Sequence, residues 1–181
     1  MKITFIKVLS LALIGSLLSL GGCFLFPDDK KESLPPATQT GANTLGFLLN
    51  GQVWLPRGII GGPSPNFTKT YDPNFNGKPE LVIVCYRVNS GSDVQYFGLY
   101  VYGISQTGIY DASIDSVSSV SFTNNSCNYF YHDTTVFRKG SITITKLSLP
   151  IISGTFNAKL YKKGCDTVKI TAGRFDIDLT K

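Results

Sequence analysis

Residues Thr155–Leu179, TFNAKLYKKGCDTVKITAGRFDIDL, decide the fold class. Phe156, Ala158 and Leu160 alternate with Asn157 and Lys159; Val168 and Ile170 alternate with Thr167 and Lys169; Phe175, Ile177 and Leu179 alternate with Asp176 and Asp178. Successive side chains of a strand point to opposite faces, so this two-residue period marks strands with one buried and one solvated face. Lys162-Lys163-Gly164 and Ala172-Gly173 separate the runs as turns. The reading is three consecutive strands of an antiparallel meander with one wet face.

The same pattern extends back to Thr44. Ser141–Ser148, Thr135–Arg138, Cys127–His132 and Val117–Thr123 read as short strands separated by Asn, Asp or Gly. In Val94–Tyr102, Phe97, Leu99 and Val101 fall on one face and Tyr96, Tyr100 and Tyr102 on the other, so one side packs a core and the other presents amphipathic rings. Glu80–Val88 is apolar on both parities, which predicts a strand near the centre and covered on both faces. Residues 57–79 are rich in Gly, Pro and Asn and read as a long loop, a place to look for function. Asn50-Gly51 lies between the apolar runs of Leu45–Pro56 and predicts a type I′ hairpin, because Asn and Gly best tolerate its two positive φ angles. No helix is convincing. About ten strands predict an all-β domain over residues 44–181, an antiparallel β-sandwich or β-barrel, and periodicity does not separate the two.

The chain has 181 residues, 43% hydrophobic and 16% charged, the composition of one ordinary globular domain. Its N-terminus reads as an address. Lys2 and Lys7 precede the apolar run Val8–Leu20, which is too short for a membrane span and is followed by the small residues Gly21-Gly22. Leu20-Gly21-Gly22-Cys23 resembles a bacterial lipobox. Residues 1–22 are therefore expected as a lipoprotein signal peptide and Cys23 as the lipidation site, its thiolate taking a diacylglycerol. Two or more acyl chains give durable attachment where one is marginal. Residues 23–43, with three prolines and several Ser and Thr, read as the lipidated tether. The expected location is the outer membrane, lipid-anchored, on either its periplasmic or its cell-surface side.

Removing residues 1–22 takes two lysines and no acid, leaving a net charge of +3, and the remaining basic residues are scattered. That excludes a phosphate-backbone stripe, so no nucleic-acid partner is expected. Three cysteines remain, Cys85, Cys127 and Cys165, which allow at most one internal bridge. Cys127 and Cys165 sit beside turn signals and are the better-placed partners; Cys85 lies in an apolar run and suits a buried small hydrophobe.

TQTGANTLGFLLNGQVWLP at the start of the domain, with ITITKLS, ISGTF and VKITAGRFDI at its end, resembles a family of uncharacterised lipoproteins of the Bacteroidota. The resemblance covers the lipobox and both ends of the domain and implies an all-β envelope lipoprotein. It brings no catalytic residues. Members of that family tend to carry a cysteine where this chain has Phe47. Asp28-Asp29 is loosely similar to the acidic signals that send some such lipoproteins to the cell surface, and a solvated charge pair in a linker accounts for it as well.

Candidate chemistry is sparse. The one histidine, His132, precedes Asp133; if a strand runs through both, neighbours point to opposite faces and Asp133 is poorly placed to orient it for nucleophilic catalysis, so a turn or surface histidine is the better reading. One His and dispersed cysteines offer no zinc spacing. Asp72-x-Asn74-x-Asn76-Gly77 opens like a calcium loop, but Pro73 holds its second position, Ile83 its twelfth, and Glu80 falls three residues early; an Asn/Gly-rich turn is the better reading. Asp72, Glu80, Asp111 and Asp115 could in principle supply a glycosidase pair, yet no spacing selects one. No catalytic residue, metal or cofactor is assigned, and no enzymatic activity is expected. Tyr96, Tyr100 and Tyr102, with Tyr129 and Tyr131, form either a second core layer or an aromatic platform for a glycan or an envelope protein.

Overall fold

The computed structural model describes residues 32–60, 66–113 and 117–181. The signal segment 1–22, Cys23, the tether as far as residue 31, and Asp115 lie outside the described residues. Among the described residues are eleven strands: β1 (Thr44–Leu49), β2 (Gln52–Trp54), β3 (Phe67–Phe75), β4 (Lys78–Ser90), β5 (Asp93–Tyr102), β6 (Gly108–Asp111), β7 (Ser119–Thr123), β8 (Asn128–Tyr129), β9 (Phe137–Ser148), β10 (Ile151–Tyr161) and β11 (Val168–Asp178). They form two antiparallel sheets, β2-β1-β11-β10-β9-β6 and β3-β4-β5-β7-β8. The fold is a sandwich and not a closed barrel: the edges β2, β6, β3 and β8 stay open.

The inner faces meet in an aromatic core. Phe47 of β1 stacks on Trp54 of β2 at 4.6 Å between ring centroids and meets Phe97 of β5 at 4.8 Å; Phe97 in turn stacks on Phe156 of β10 at 5.2 Å. Phe97, Leu99 and Val101 are all buried, as their alternation predicts. Burying each such side chain contributes about 1.5–3 kcal/mol. The Trp54 indole N–H donates to Gln95 Oε1 at 2.7 Å, so its polar end is satisfied.

The hairpin at Asn50-Gly51 forms as expected, with φ of 50° and 88°. A second one was not expected. Asn76 and Gly77, at φ 49° and 84°, join β3 to β4 by the same kind of turn, so residues 67–79 of the predicted 57–79 loop belong to a hairpin. Its sequence hides it because β3 is an edge strand, where Pro73 needs no ladder partner and polar side chains face water. Further toward the C-terminus, Thr135–Arg138 and Ser141–Ser148 were read as two strands, but residues 137–148 form β9 without a break. Gly140 is a point of close approach: a Cβ there would lie 2.5 Å from the Asn157 carbonyl oxygen.

The expected three-strand meander at the C-terminus is two strands. Ala172, at φ 52°, lies in a bulge inside β11 and not in a turn between strands, since Thr171 and Ala172 oppose Asn157 alone. One extra residue exchanges the faces, which moves the buried set from Val168 and Ile170 to Phe175 and Ile177.

The face of Asp176 and Asp178 is dry where it was expected to be wet. Residues 33–43, read as tether, lie against the six-stranded sheet and belong to its compact unit. The Asp176 carboxylate accepts hydrogen bonds from the Thr38 hydroxyl at 2.6 Å, the backbone N–H groups of Thr40, Gly41 and Ala42, and the Ser153 hydroxyl at 2.7 Å. These polar contacts, with no apolar periodicity, are why composition alone reads the segment as linker. The outer face of β4 is likewise only half covered: Val82 and Val84 are partly exposed beneath the tyrosines of β5.

Candidate functional site

The outer face of the five-stranded sheet carries the tyrosines. Tyr96, Tyr100 and Tyr102 project from β5 away from the core, as the alternation requires. Between the first two is Gly98, where a Cβ would lie 2.8 Å from the Tyr100 ring and 2.6 Å from Ser121 Oγ, so the missing side chain lets the Tyr100 ring lie back over its own strand. Tyr131 then packs against Tyr100 at 4.3 Å between centroids with the rings tilted by 33°, and His132 lies against Tyr131 at 3.8 Å. Phe75, from the tip of the β3–β4 hairpin, meets Tyr102 edge-on at 6.4 Å. Tyr100, Tyr102, Tyr131, His132 and Phe75 line a groove of about 670 Å³ that Glu80 and Val82 of β4 also line. A second hollow of about 330 Å³, bounded by Tyr96 and Phe130, adjoins it across Tyr100.

Tyr129 is not part of this surface. It is 1% exposed, its ring turned into the core and its hydroxyl donating to the Asp166 carbonyl. Strand β8 ends at Tyr129, and the chain turns before Tyr131, so the two tyrosines part company despite equal parity. The turn is held from below by Arg138, which is buried at 4% exposure and donates to the carbonyls of Phe130 and Asp133. Burial pushes the Arg138 pKa down, and the nearby Asp133 carboxylate partly restores it.

His132 and Asp133 do not form a catalytic pair. Asp133 accepts from Lys162 Nζ at 2.8 Å and from the Thr135 hydroxyl at 2.6 Å, and these bonds hold its carboxyl well below the usual range. Both residues sit in a turn and the His132 side chain is exposed, which agrees with the turn or surface histidine favoured from the sequence. The Cys127–Cys165 disulfide closes the same end of the molecule, joining the β7–β8 turn to the β10–β11 connection. Cys85 is a buried thiol in the core, and burial raises its pKa well above the ordinary thiol value.

Of the four candidate acids, Asp72 and Glu80 come together as directly opposed residues of β3 and β4. Burial, then the neighbouring Asp72 charge, raises the Glu80 pKa. Asp72 also accepts from the Asn74 backbone N–H at 2.8 Å. Asp111 lies on β6 of the other sheet. The stretch that opens like a calcium loop is strand followed by the Asn76-Gly77 turn, and the Asn76 carbonyl accepts from the Tyr102 hydroxyl at 3.2 Å. Among the described residues, no three His, Cys, Asp or Glu side chains gather as a metal site would require.

The β5 side of the groove was legible from alternation. Phe75, Gly98 and Arg138 were not: Phe75 meets Tyr102 of a different hairpin arm, while Gly98 and Arg138 act through the ring placement of Tyr100 and the carbonyls of a turn, which alternation does not encode. An Asn-Gly pair after an aromatic residue was the available signal for Phe75. No protein-family model matches the chain, and neither a curated protein nor a solved structure matches it significantly.

Proposed function

We propose that this is a membrane-anchored lipoprotein of the outer membrane whose sandwich domain is a non-enzymatic binding module, and that its ligand is a glycan held in the aromatic groove. The observation that carries the reading is that three partly exposed rings, Tyr100, Tyr131 and Tyr102, line one groove together with the Glu80 side chain. Sugar rings offer apolar C–H faces that stack on aromatic side chains, while their hydroxyls bond to carboxylates and carbonyls at the rim. Tyrosine suits such a site because it tolerates water at its edge. The groove volume falls in the range of about 300–1,000 Å³ typical of small-ligand sites. A role as accessory protein of an outer-membrane nutrient-uptake system follows from combining anchor and groove.

Titration of the protein with neutral hexasaccharides of glucose, mannose and xylose tests this. At least one is expected to bind, and the Tyr100→Ala, Tyr131→Ala variant is expected to lose about tenfold or more in affinity, as truncation of central aromatic anchors does. Absence of binding across the panel, or binding indifferent to both substitutions, overturns the glycan assignment.

A further inference from the structure

The outer face of the six-stranded sheet carries an unusual row. Lys139 of β9 is directly opposite Lys159 of β10, which is directly opposite Lys169 of β11. All three are exposed, and among the described residues none forms an ion pair. Like charges placed directly across a sheet repel one another, so a row of three is a feature that an approaching anion would relieve. The next pair along is Phe137 and Tyr161, also in register and 49% and 46% exposed, and Ile109 on β6 is 77% exposed. The residues next along the strands on this face are uncharged, Ser141, Asn157 and Thr171; Asp111 at the β6 edge accepts from the Ser113 hydroxyl at 2.7 Å, and Arg174, Lys146 and the buried Asp176 lie further along.

We propose that this face docks on an anionic lipid surface, the lysine row meeting headgroup phosphates and the Phe137–Tyr161 pair entering the headgroup layer. The inference rests on the lipoprotein reading. Two observations favour lipid over a soluble polyanion. Residues 38–42 lie over Asp176 and Ser153 at the other end of this same face, so the described N-terminal segment crosses the sheet that carries the lysines. The ten residues from Cys23 to Ser33 span at most about 35 Å, which keeps the domain within reach of the bilayer. Each lysine near an anionic surface strengthens association by about fivefold, so the three together give about a hundredfold. That is too weak to recruit a free protein and sufficient to orient a tethered one. The aromatic groove, on the outer face of the opposite sheet, then points away from the membrane.

The test uses the lipidated protein on phosphatidylcholine vesicles with and without phosphatidylglycerol, reading lysine acylation by a water-soluble active ester with mass spectrometry. Lys139, Lys159 and Lys169 are expected to react severalfold more slowly on the anionic vesicles, with full rates restored at high salt. Lys78, on the groove side, serves as control and is expected to react equally on both. Equal rates for the three lysines on protein that floats with the vesicles overturn the docking. Slowing by soluble alginate but not by phosphatidylglycerol also overturns it, assigning the face to a polyanionic glycan. Protein that fails to float even with neutral vesicles overturns the lipoprotein reading instead, so the two failures are distinct.

Discussion

Asp176 shows how one residue can read as solvated surface and act as a structural anchor. Burial by itself raises its pKa, but hydrogen bonds from Thr38, Ser153, Thr40 and Gly41 outweigh that and hold it well below the carboxylate range. A carboxyl whose pKa is lower folded than unfolded stabilises fully above the unfolded value, about 3.9, and loses that contribution as pH falls toward the folded value. Asp176→Asn should therefore lower the urea midpoint strongly at pH 7 and much less at pH 2.5. The expected cost at neutral pH is about 2–3 kcal/mol, the scale of hydrogen bonds to a buried charge. An equal loss at both pH values contradicts this account. The bonding partners lie more than 130 positions away in sequence, apart from Ser153, so no local pattern announces them. The tyrosines are the opposite case: Tyr96, Tyr100 and Tyr102 were legible because a strand alternates whatever it packs against.

At the scale of elements, the long strands with a clear apolar face were readable, and the edge strands β3 and β6 were not. β5 and β10 carry enough alternating residues to fix their type and β4 a long apolar run, whereas β6 has four residues and no period to detect, and of the Cys127–His132 run only Asn128–Tyr129 is strand. β3 follows the chemistry of an exposed edge. The β11 bulge kept both of its flanks legible as strands while disguising their continuity, because a change of parity looks like a turn. The Cys127–Cys165 bridge acts at this level too. It joins connections that belong to opposite sheets across 38 positions of sequence, so its loss frees a large loop in the unfolded chain. Cys127→Ala with Cys165→Ala should lower stability by about 2–4 kcal/mol and loosen the 130–133 turn that Lys162 holds through Asp133. Denaturant unfolding checks the first effect and amide exchange at Tyr131 and His132 the second. Unchanged exchange at those amides would separate the bridge from the groove.

The whole molecule presents two unlike faces, an aromatic groove on one sheet and a lysine row beside a docked N-terminal segment on the other. Their opposition gives the proposed anchor a direction: lipid on one side, ligand on the other. The anchor itself is tested on the native protein. Mass spectrometry of its N-terminal peptide should find a diacylglyceryl-modified Cys23 as the first residue, and Cys23→Ser should release the protein from the membrane fraction. An unmodified thiol on protein recovered in the soluble fraction would remove the basis for both face assignments.

Alternation, turn dipeptides and composition by themselves determined that this chain is an antiparallel all-β protein with a tyrosine-bearing strand, because those signals depend only on backbone geometry within a few residues. Tertiary structure alone decided that the sheets pack as an open sandwich, that Tyr129 leaves the platform while Phe75 joins it, and that three scattered lysines share one register. Each of these depends on which distant strands become neighbours. That choice is made by the packing of Phe47, Trp54, Phe97 and Phe156 across the core, which no local window contains.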